Sequence, residues 1–291
     1  MLGWLSAKVP QDDGRYGRTD TYWVGRPRPG SRARVPSSTV NARGSTQVTS
    51  VPEAGQPHAR SEGRVSVAAL SGGSYETNVV LTFQPSIFAA GVPSFDASFR
   101  ELHRIELDRA SWLDLVPGWV SGSDRLFAEV MATRPWGERT RRMYDRRVRE
   151  PRLTSSWSLT SGLPLEPPIL EEIRRCLGAR YGVVFDSAGF NLYRNGADSV
   201  AWHGDKIRKE IEEPIIPLLS LGEPRKFALR PQGGGVSRAF CLGRGDLLVT
   251  GGATHRAWQH AVPKVAQAGP RISVAYRYGM DIRAYATLEA T

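Results

Sequence analysis

The 291-residue sequence predicts a mainly β protein with flanking helices, an α+β domain whose strands form a sandwich, barrel or jelly roll. Two observations carry that expectation. From Gly189 onward, short β-like runs at 215–221, 225–230, 239–242, 246–250 and 271–278 are separated by Gly and Pro with no helical pattern between them. Upstream of them, helical spacing of apolar residues is confined to two short stretches that begin at Ser123 and Pro167.

Residues 1–75 contain no Ile and no Phe, hold 26 Gly, Pro or Ser, and carry ten Lys or Arg against five Asp or Glu. So little apolar area does not offset the entropy of ordering a chain, and a largely disordered basic arm is expected. Such an arm suits a tolerated extension as well as a tail that grazes nucleic acid. Residues 76–291 are then one domain with its core at about 180–280. Order is expected from Thr77, and 79–83 reads as a strand. Ser123 caps a helix that places Leu126, Phe127 and Val130 on one face. The clearest helix is 167–177, with Pro in its first turn, an apolar stripe of Ile169, Leu170, Ile173, Cys176 and Leu177, and Gly178 after its end.

A net charge of +10 favours polyanionic partners, since a basic surface attracts phosphates from a distance and loses that attraction as salt rises. No run of 18 apolar residues occurs, and the opening Met-Leu-Gly-Trp-Leu-Ser is too short for the apolar part of a secretory signal. A soluble, cytoplasmic monomer without membrane attachment is expected. Cys176 and Cys241 are expected to be reduced and buried.

The chemistry lies in the β-rich part. His203 and Asp205, two residues apart on an extended backbone, point to one side and can share a metal. His260 is the best third ligand. Two His and one carboxylate on one face of a metal leave open positions and suit non-haem Fe(II) in oxygen chemistry. A His-x-Asp pair by itself is equally at home as an ordinary surface or core pair. Downstream, Arg271, Ser273, Ala275 and Arg277 share one face of a strand whose other face carries Ile272, Val274 and Tyr276. Two inward arginines need anions. A dicarboxylate co-substrate would supply them, with Arg271 in a bidentate pair; protein carboxylates or solvent are the alternatives.

Four stretches carry a family resemblance: NLYRNGADSVAWHGD at 191–205, LSLGEPRKFALR at 219–230, GDLLVTGGATHRAWQHAVPK at 245–264 and the Arg271 strand, with Pro-Arg-Leu-Thr at 151–154 upstream. Over roughly residues 130–280 the chain resembles the AlkB family of nucleic-acid demethylases. That resemblance implies a double-stranded β-helix and an Fe(II)- and 2-oxoglutarate-dependent dioxygenase that consumes O₂. It implies His203, Asp205 and His260 as iron ligands and catalytic centre, with Asn191, Tyr193, Arg271 and Ser273 around 2-oxoglutarate. Arg277 falls where the family braces the ligand carboxylate and the near end of the co-substrate. The implied reaction removes N-methyl groups from bases in alkylated DNA or RNA, single-stranded or base-flipped, as in alkylation damage repair; formaldehyde, succinate and CO₂ are the products.

Ile207 stands where relatives that repair cationic lesions carry an acidic residue, and Glu210 is the substitute in the same loop. Position 273 is Ser where relatives usually have Asn. Trp157 is a candidate wall for an extruded base, with a plain core position as its more common alternative. The stretch 134–152 carries eight Arg against three acids with Trp136 and Tyr144 interleaved, so 134–160 is a candidate substrate lid in which Tyr144 and Arg147 track the strand. Its alternative is a solvated basic face. Trp202 and Trp258 are expected in the barrel walls, and His255 beside the ligands or exposed. The competing functions are a 2-oxoglutarate-dependent hydroxylase of a protein or small molecule, and a catalytically silent nucleic-acid-binding relative.

Overall fold

A computed structural model describes residues 91–143, 146–205 and 207–280, together with strand backbone at 19–21, 63–69 and 77–83. Its strands in chain order are β1 (Thr19–Thr21), β2 (Gly63–Ala69), β3 (Thr77–Phe83), β4 (Ser94–Phe95), β5 (His103–Glu106), β6 (Ser111–Val116), β7 (Val120–Ser121), β8 (Gly137–Met143) and β9 (Arg146–Ser158). They continue with β10 (Ser187–Tyr193), β11 (Val200–His203), β12 (Ile216–Gly222), β13 (Arg225–Pro231), β14 (Ser237–Leu242), β15 (Asp246–Gly252), β16 (Trp258–Val262) and β17 (Arg271–Arg277). The helices are α1 (Ser123–Thr133), α2 (Ile169–Tyr181) and the single turn α3 (Thr254–Ala257).

The eight strands from β10 to β17 alternate between two antiparallel sheets. The major sheet runs β15-β12-β17-β10 and the minor sheet β14-β13-β16-β11. Successive strands therefore cross from one sheet to the other, except at the β13–β14 hairpin, and this winding is the double-stranded β-helix. The major sheet is widened by β6 and β5 at one edge and by β9 and β8 at the other, and β1 joins β14 in parallel. β2 pairs with β3, antiparallel.

The major sheet buries both faces. Leu219, Leu221, Ile272, Val274 and Tyr276 pack against Leu126, Phe127, Val130, Leu170, Ile173 and Leu177 of the two long helices. Leu218 and Leu248 face the other way, onto Phe227, Leu229, Phe240, Leu242, Trp258 and Val262 of the minor sheet. Each fully buried Leu or Ile on these faces contributes about 1.5–3 kcal/mol relative to exposure. The two-faced reading of 271–277 holds: Arg271, Ser273 and Ala275 are buried between the sheets while Ile272, Val274 and Tyr276 meet the helices.

Two of these expectations, the end of the second helix and the burial of the cysteines, are corrected. Helix α2 runs through Gly178 to Tyr181 and ends at Gly182, whose φ of 70° reverses the chain. Gly178 is needed for packing instead, because a Cβ there would lie 2.8 Å from the Val183 carbonyl oxygen. Cys176 is half-buried and Cys241 is exposed, since Phe240 and Leu242 take the inward positions of β14; both thiols are free. The basic stretch at 137–158 is a long β hairpin, β8–β9. Of the arm at 1–75, Thr19–Thr21 and Gly63–Ala69 are strands, and its remaining residues lie outside those described. Among the described residues, no helix is long and apolar enough to cross a membrane.

Candidate metal and co-substrate site

His203 ends β11 and His260 lies opposite it on β16, in direct register. Their rings are 4.2 Å apart between centroids, and the Phe227 ring stacks on His260 at 5.4 Å. The Nδ1 of His203 lies 2.9 Å from the Ala201 carbonyl oxygen and 3.1 Å from that of His260. Carbonyls only accept, so Nδ1 carries the proton and the Nε2 lone pair is left for a ligand role. Asp205 brings its Oδ2 to 3.9 Å from the Nδ1 of His260. The three residues drawn from the sequence are thus neighbours, at one end of the minor sheet.

Electrostatics suit a cation. Burial raises the pKa of Asp205, but the hydrogen bond from His255 and the charges of His260 and Arg277 hold it well below the ordinary carboxylate range. Burial lowers the His260 imidazole to about 4 against the opposing pull of Asp205, so it is neutral at pH 7 with a lone pair to give. Among the described residues no three His, Cys, Asp or Glu side chains already stand in coordination geometry. The donor set itself, two imidazoles and an ionised carboxylate, fits Fe(II).

Beside the triad, β10 and β17 present Asn191, Tyr193, Arg271, Ser273 and Arg277 in paired register, Asn191 opposite Ser273 and Tyr193 opposite Arg271. Arg271 is 1% exposed. Its Nη2 donates to Ser220 Oγ at 2.7 Å and its Nε to the Leu242 carbonyl at 3.2 Å, and its guanidinium lies 5.4 Å from the Tyr193 ring. Among the described residues no carboxylate forms an ion pair with it. Burying a guanidinium on neutral partners alone is costly, and a carboxylate of a bound dianion would offset that cost. Arg225, equally buried, differs: it donates to the carbonyls of Asn195, Asp198 and Pro263 and ties two loops together. Arg277 does pair with protein, its Nη2 2.9 Å from Asp205 Oδ1. Asn191 accepts from Arg152 Nε at 2.9 Å and reaches Ser273 Oγ at 3.4 Å.

The candidate substrate residues fare differently. Trp157 is 7% exposed, donates to the Leu163 carbonyl and packs into the cluster around α2. It stands one residue out of phase with Thr154, the partner of Asn191, so it faces the helices and not the chamber; a base-wall role is corrected on that ground. Tyr144 lies outside the described residues. Arg147 is exposed on the β8–β9 hairpin. Ile207 is half-buried in the loop after Asp205, while Glu210 is 71% exposed and paired with Arg208, so it turns to solvent and does not replace the missing acid. Trp258 is buried with its Nε1 2.7 Å from Asp108 Oδ2, and Trp202 lies under the Arg230 guanidinium at 4.4 Å, both in the minor sheet.

Sequence reasoning left three participants without roles, Arg256 on the neighbouring loop, Arg152 on Asn191 and Ser220 on Arg271, and it placed His255 beside the candidate ligands or exposed without naming its partner, which is Asp205. All four lie inside the stretches that carry the family resemblance, at 151–154, 219–230 and 245–264.

The model of the 2OG-Fe(II) oxygenase superfamily matches residues 123–278. The alpha-ketoglutarate-dependent dioxygenase alkB homolog 3 of Bos taurus is 35% identical over 184 residues, 56% of this chain and 64% of that protein. The same homolog of Homo sapiens is 34% identical over the same shares. The DNA oxidative demethylase ALKBH2 of Arabidopsis thaliana is 29% identical over 182 residues, covering 49% of this chain and 58% of that protein. The chain thus spans less than two thirds of the length of these relatives. The solved structure of OsALKBH1 aligns with a TM-score of 0.43 at 14% identity, over 60% of this chain and 99% of that one.

Proposed function

Since this chain belongs to the 2OG-Fe(II) oxygenase superfamily and is similar to AlkB homologues, we propose that it removes N-alkyl groups from bases in nucleic acid. One observation carries the reading: two histidines and an aspartate meet on adjoining strands beside a fully buried arginine whose hydrogen bonds go to neutral oxygens. His203, Asp205 and His260 would hold Fe(II), and Arg271 would take the far carboxylate of 2-oxoglutarate. When bound, iron, 2-oxoglutarate and O₂ supply the oxidation of an N-methyl to an N-hydroxymethyl group, which releases formaldehyde.

The chain's own residues orient and exclude. Ser220 and the Leu242 carbonyl aim the Arg271 fork, and Tyr193 closes the wall beside it. Asn191 and Ser273 line the same inner face one step nearer the triad, and Arg277 holds Asp205 from the side. The apolar seam of Phe227, Leu229 and Trp258 keeps water from the back of the imidazoles. The exposed arginines of the β8–β9 hairpin and the net charge of +10 favour a phosphate-bearing substrate.

The test is mass spectrometry of a panel of methylated single- and double-stranded oligonucleotides after incubation with protein, Fe(II), ascorbate and 2-oxoglutarate. Loss of 14 mass units (about one CH₂) with matching formaldehyde and succinate is expected, and His203→Ala should abolish it while the fold is retained. Succinate formed without methyl loss from any member of the panel would move the chemistry to a protein or small-molecule substrate.

A further inference from the structure

His255 is buried, 6% exposed, five residues before the second histidine ligand. It is carried by α3, whose start is forced by the preceding turn. Gly252 adopts φ +59°, and a Cβ there would lie 2.2 Å from the Ala110 carbonyl oxygen; at Gly251 it would lie 2.1 Å from the Trp112 ring. Thr254 locks the turn, with its Oγ1 donating to the Gly251 carbonyl at 2.6 Å.

From that fixed turn the imidazole bridges two structures. Its Nδ1 is 3.1 Å from Asp205 Oδ2, and its Nε2 is 3.1 Å from Thr250 Oγ1 and 3.2 Å from the Thr250 carbonyl on β15. Arg277 of β17 holds the other oxygen, Oδ1, at 2.9 Å. The next residue, Arg256, donates to the Ile211 and Glu212 carbonyls of the loop that Asp205 begins. The loop's far end is tied by the Tyr278 hydroxyl to the Glu213 carbonyl at 2.8 Å. One helical turn of the minor-sheet crossover therefore grips both the carboxylate and the loop that carries it.

We propose that His255 is a positioning residue which fixes the Asp205 carboxylate, anchoring it to Thr250 of the major sheet so that the carboxylate is presented to the metal in one orientation. The proposal rests on the ligand assignment made above. The nitrogen nearest Asp205 has the place an asparagine amide nitrogen would take, so His255→Asn keeps a donor there while His255→Ala removes it. Partners that orient metal ligands are worth about ten- to a hundredfold in metal affinity.

The experiment is Mn(II) binding to the full chain, read by electron paramagnetic resonance as loss of the free-ion signal, with Tm measured alongside. We expect His255→Ala to weaken Mn(II) binding about ten- to a hundredfold and His255→Asn to recover most of it. Thr250→Val, which leaves the imidazole but removes one anchor of its far nitrogen, should lose affinity by less than His255→Ala. Wild-type affinity in His255→Ala overturns the proposal. Equal losses in the Ala and Asn variants with a lowered Tm make His255 a packing residue and overturn it too. If wild-type protein itself takes up no Mn(II), the ligand assignment fails and the proposal falls with it, a result distinct from a wild type that binds and a variant set that does not differ.

Discussion

Arg271 shows how much one side chain is asked to do. Its charge is carried into the space between the sheets, where burial pulls its pKa down and where, among the described residues, it donates to a hydroxyl and a carbonyl. A planar fork of fixed donors can hold those two oxygens and still grip a carboxylate bidentately, which an ammonium cannot. Arg271→Lys is therefore expected to weaken 2-oxoglutarate binding by about ten- to a hundredfold, roughly 1.5–3 kcal/mol, with Mn(II) affinity unchanged. Isothermal titration of 2-oxoglutarate into the Mn(II)-loaded variant measures it, and an undiminished affinity would give the anchoring role to another cation. At the same scale, the two carbonyls on His203 Nδ1 decide which imidazole nitrogen is left to accept, something the identity of a histidine leaves open.

At the scale of elements, α2 buttresses the major sheet through Leu170, Ile173 and Leu177, and its exposed side is laced by Glu171. That carboxylate accepts from Arg174 at 2.7 Å and from Arg175 at 2.8 Å. The Arg174 hydrogen bond, ahead of a smaller opposing effect of burial and the bond from Arg175, lowers its pKa. A depressed carboxylate contributes stability that is present above its unfolded value, about 4.3, and is lost as pH falls through the folded value. The pairs are partly solvated, so Glu171→Gln should cost no more than about 1 kcal/mol, or about 2–4 °C in Tm. Melting curves of the two proteins should be separated at pH 7 and should converge as the pH is brought below the usual carboxylate range; a constant gap would assign the effect to something other than ionisation. The β8–β9 hairpin is the other informative element. Over 137–150 Arg alternates mainly with polar residues, so composition shows a basic segment, and only the pairing of β9 with β10 shows that the hairpin extends the major sheet, where Leu153 and Trp157 join the core.

For the molecule as a whole, the charge of +10 is the property that reaches furthest. Arg139 and Arg147 stand exposed on the hairpin at the edge of the sheet that holds Asn191 and Arg271. If they meet phosphates, the double variant Arg139→Ala, Arg147→Ala should weaken binding of single-stranded oligonucleotides about uniformly across sequences. The slope of log affinity against log salt should flatten by about 0.7 for each contact removed. Fluorescence anisotropy over a salt series reads both, and an unaltered slope would leave the hairpin as a solvated basic face.

The strand runs after Gly189, the two amphipathic helices, the His-x-Asp pair and the two-faced Arg271 strand were all legible in the amino-acid order, because period and residue chemistry are local properties that the chain carries wherever it is placed. Trp157, Cys241 and His255 were not. Whether a Trp on β9 faces helices or chamber depends on the register with β10, and whether Cys241 is covered depends on which of its neighbours the minor sheet turns inward. The bond from His255 to Asp205 spans 50 residues and exists only because the turn into α3 is wedged against Ala110 and Trp112. Which side chains could bind a metal is thus a matter of residue type, whereas the aim of each is set by contacts between segments far apart in the chain, which no local pattern encodes.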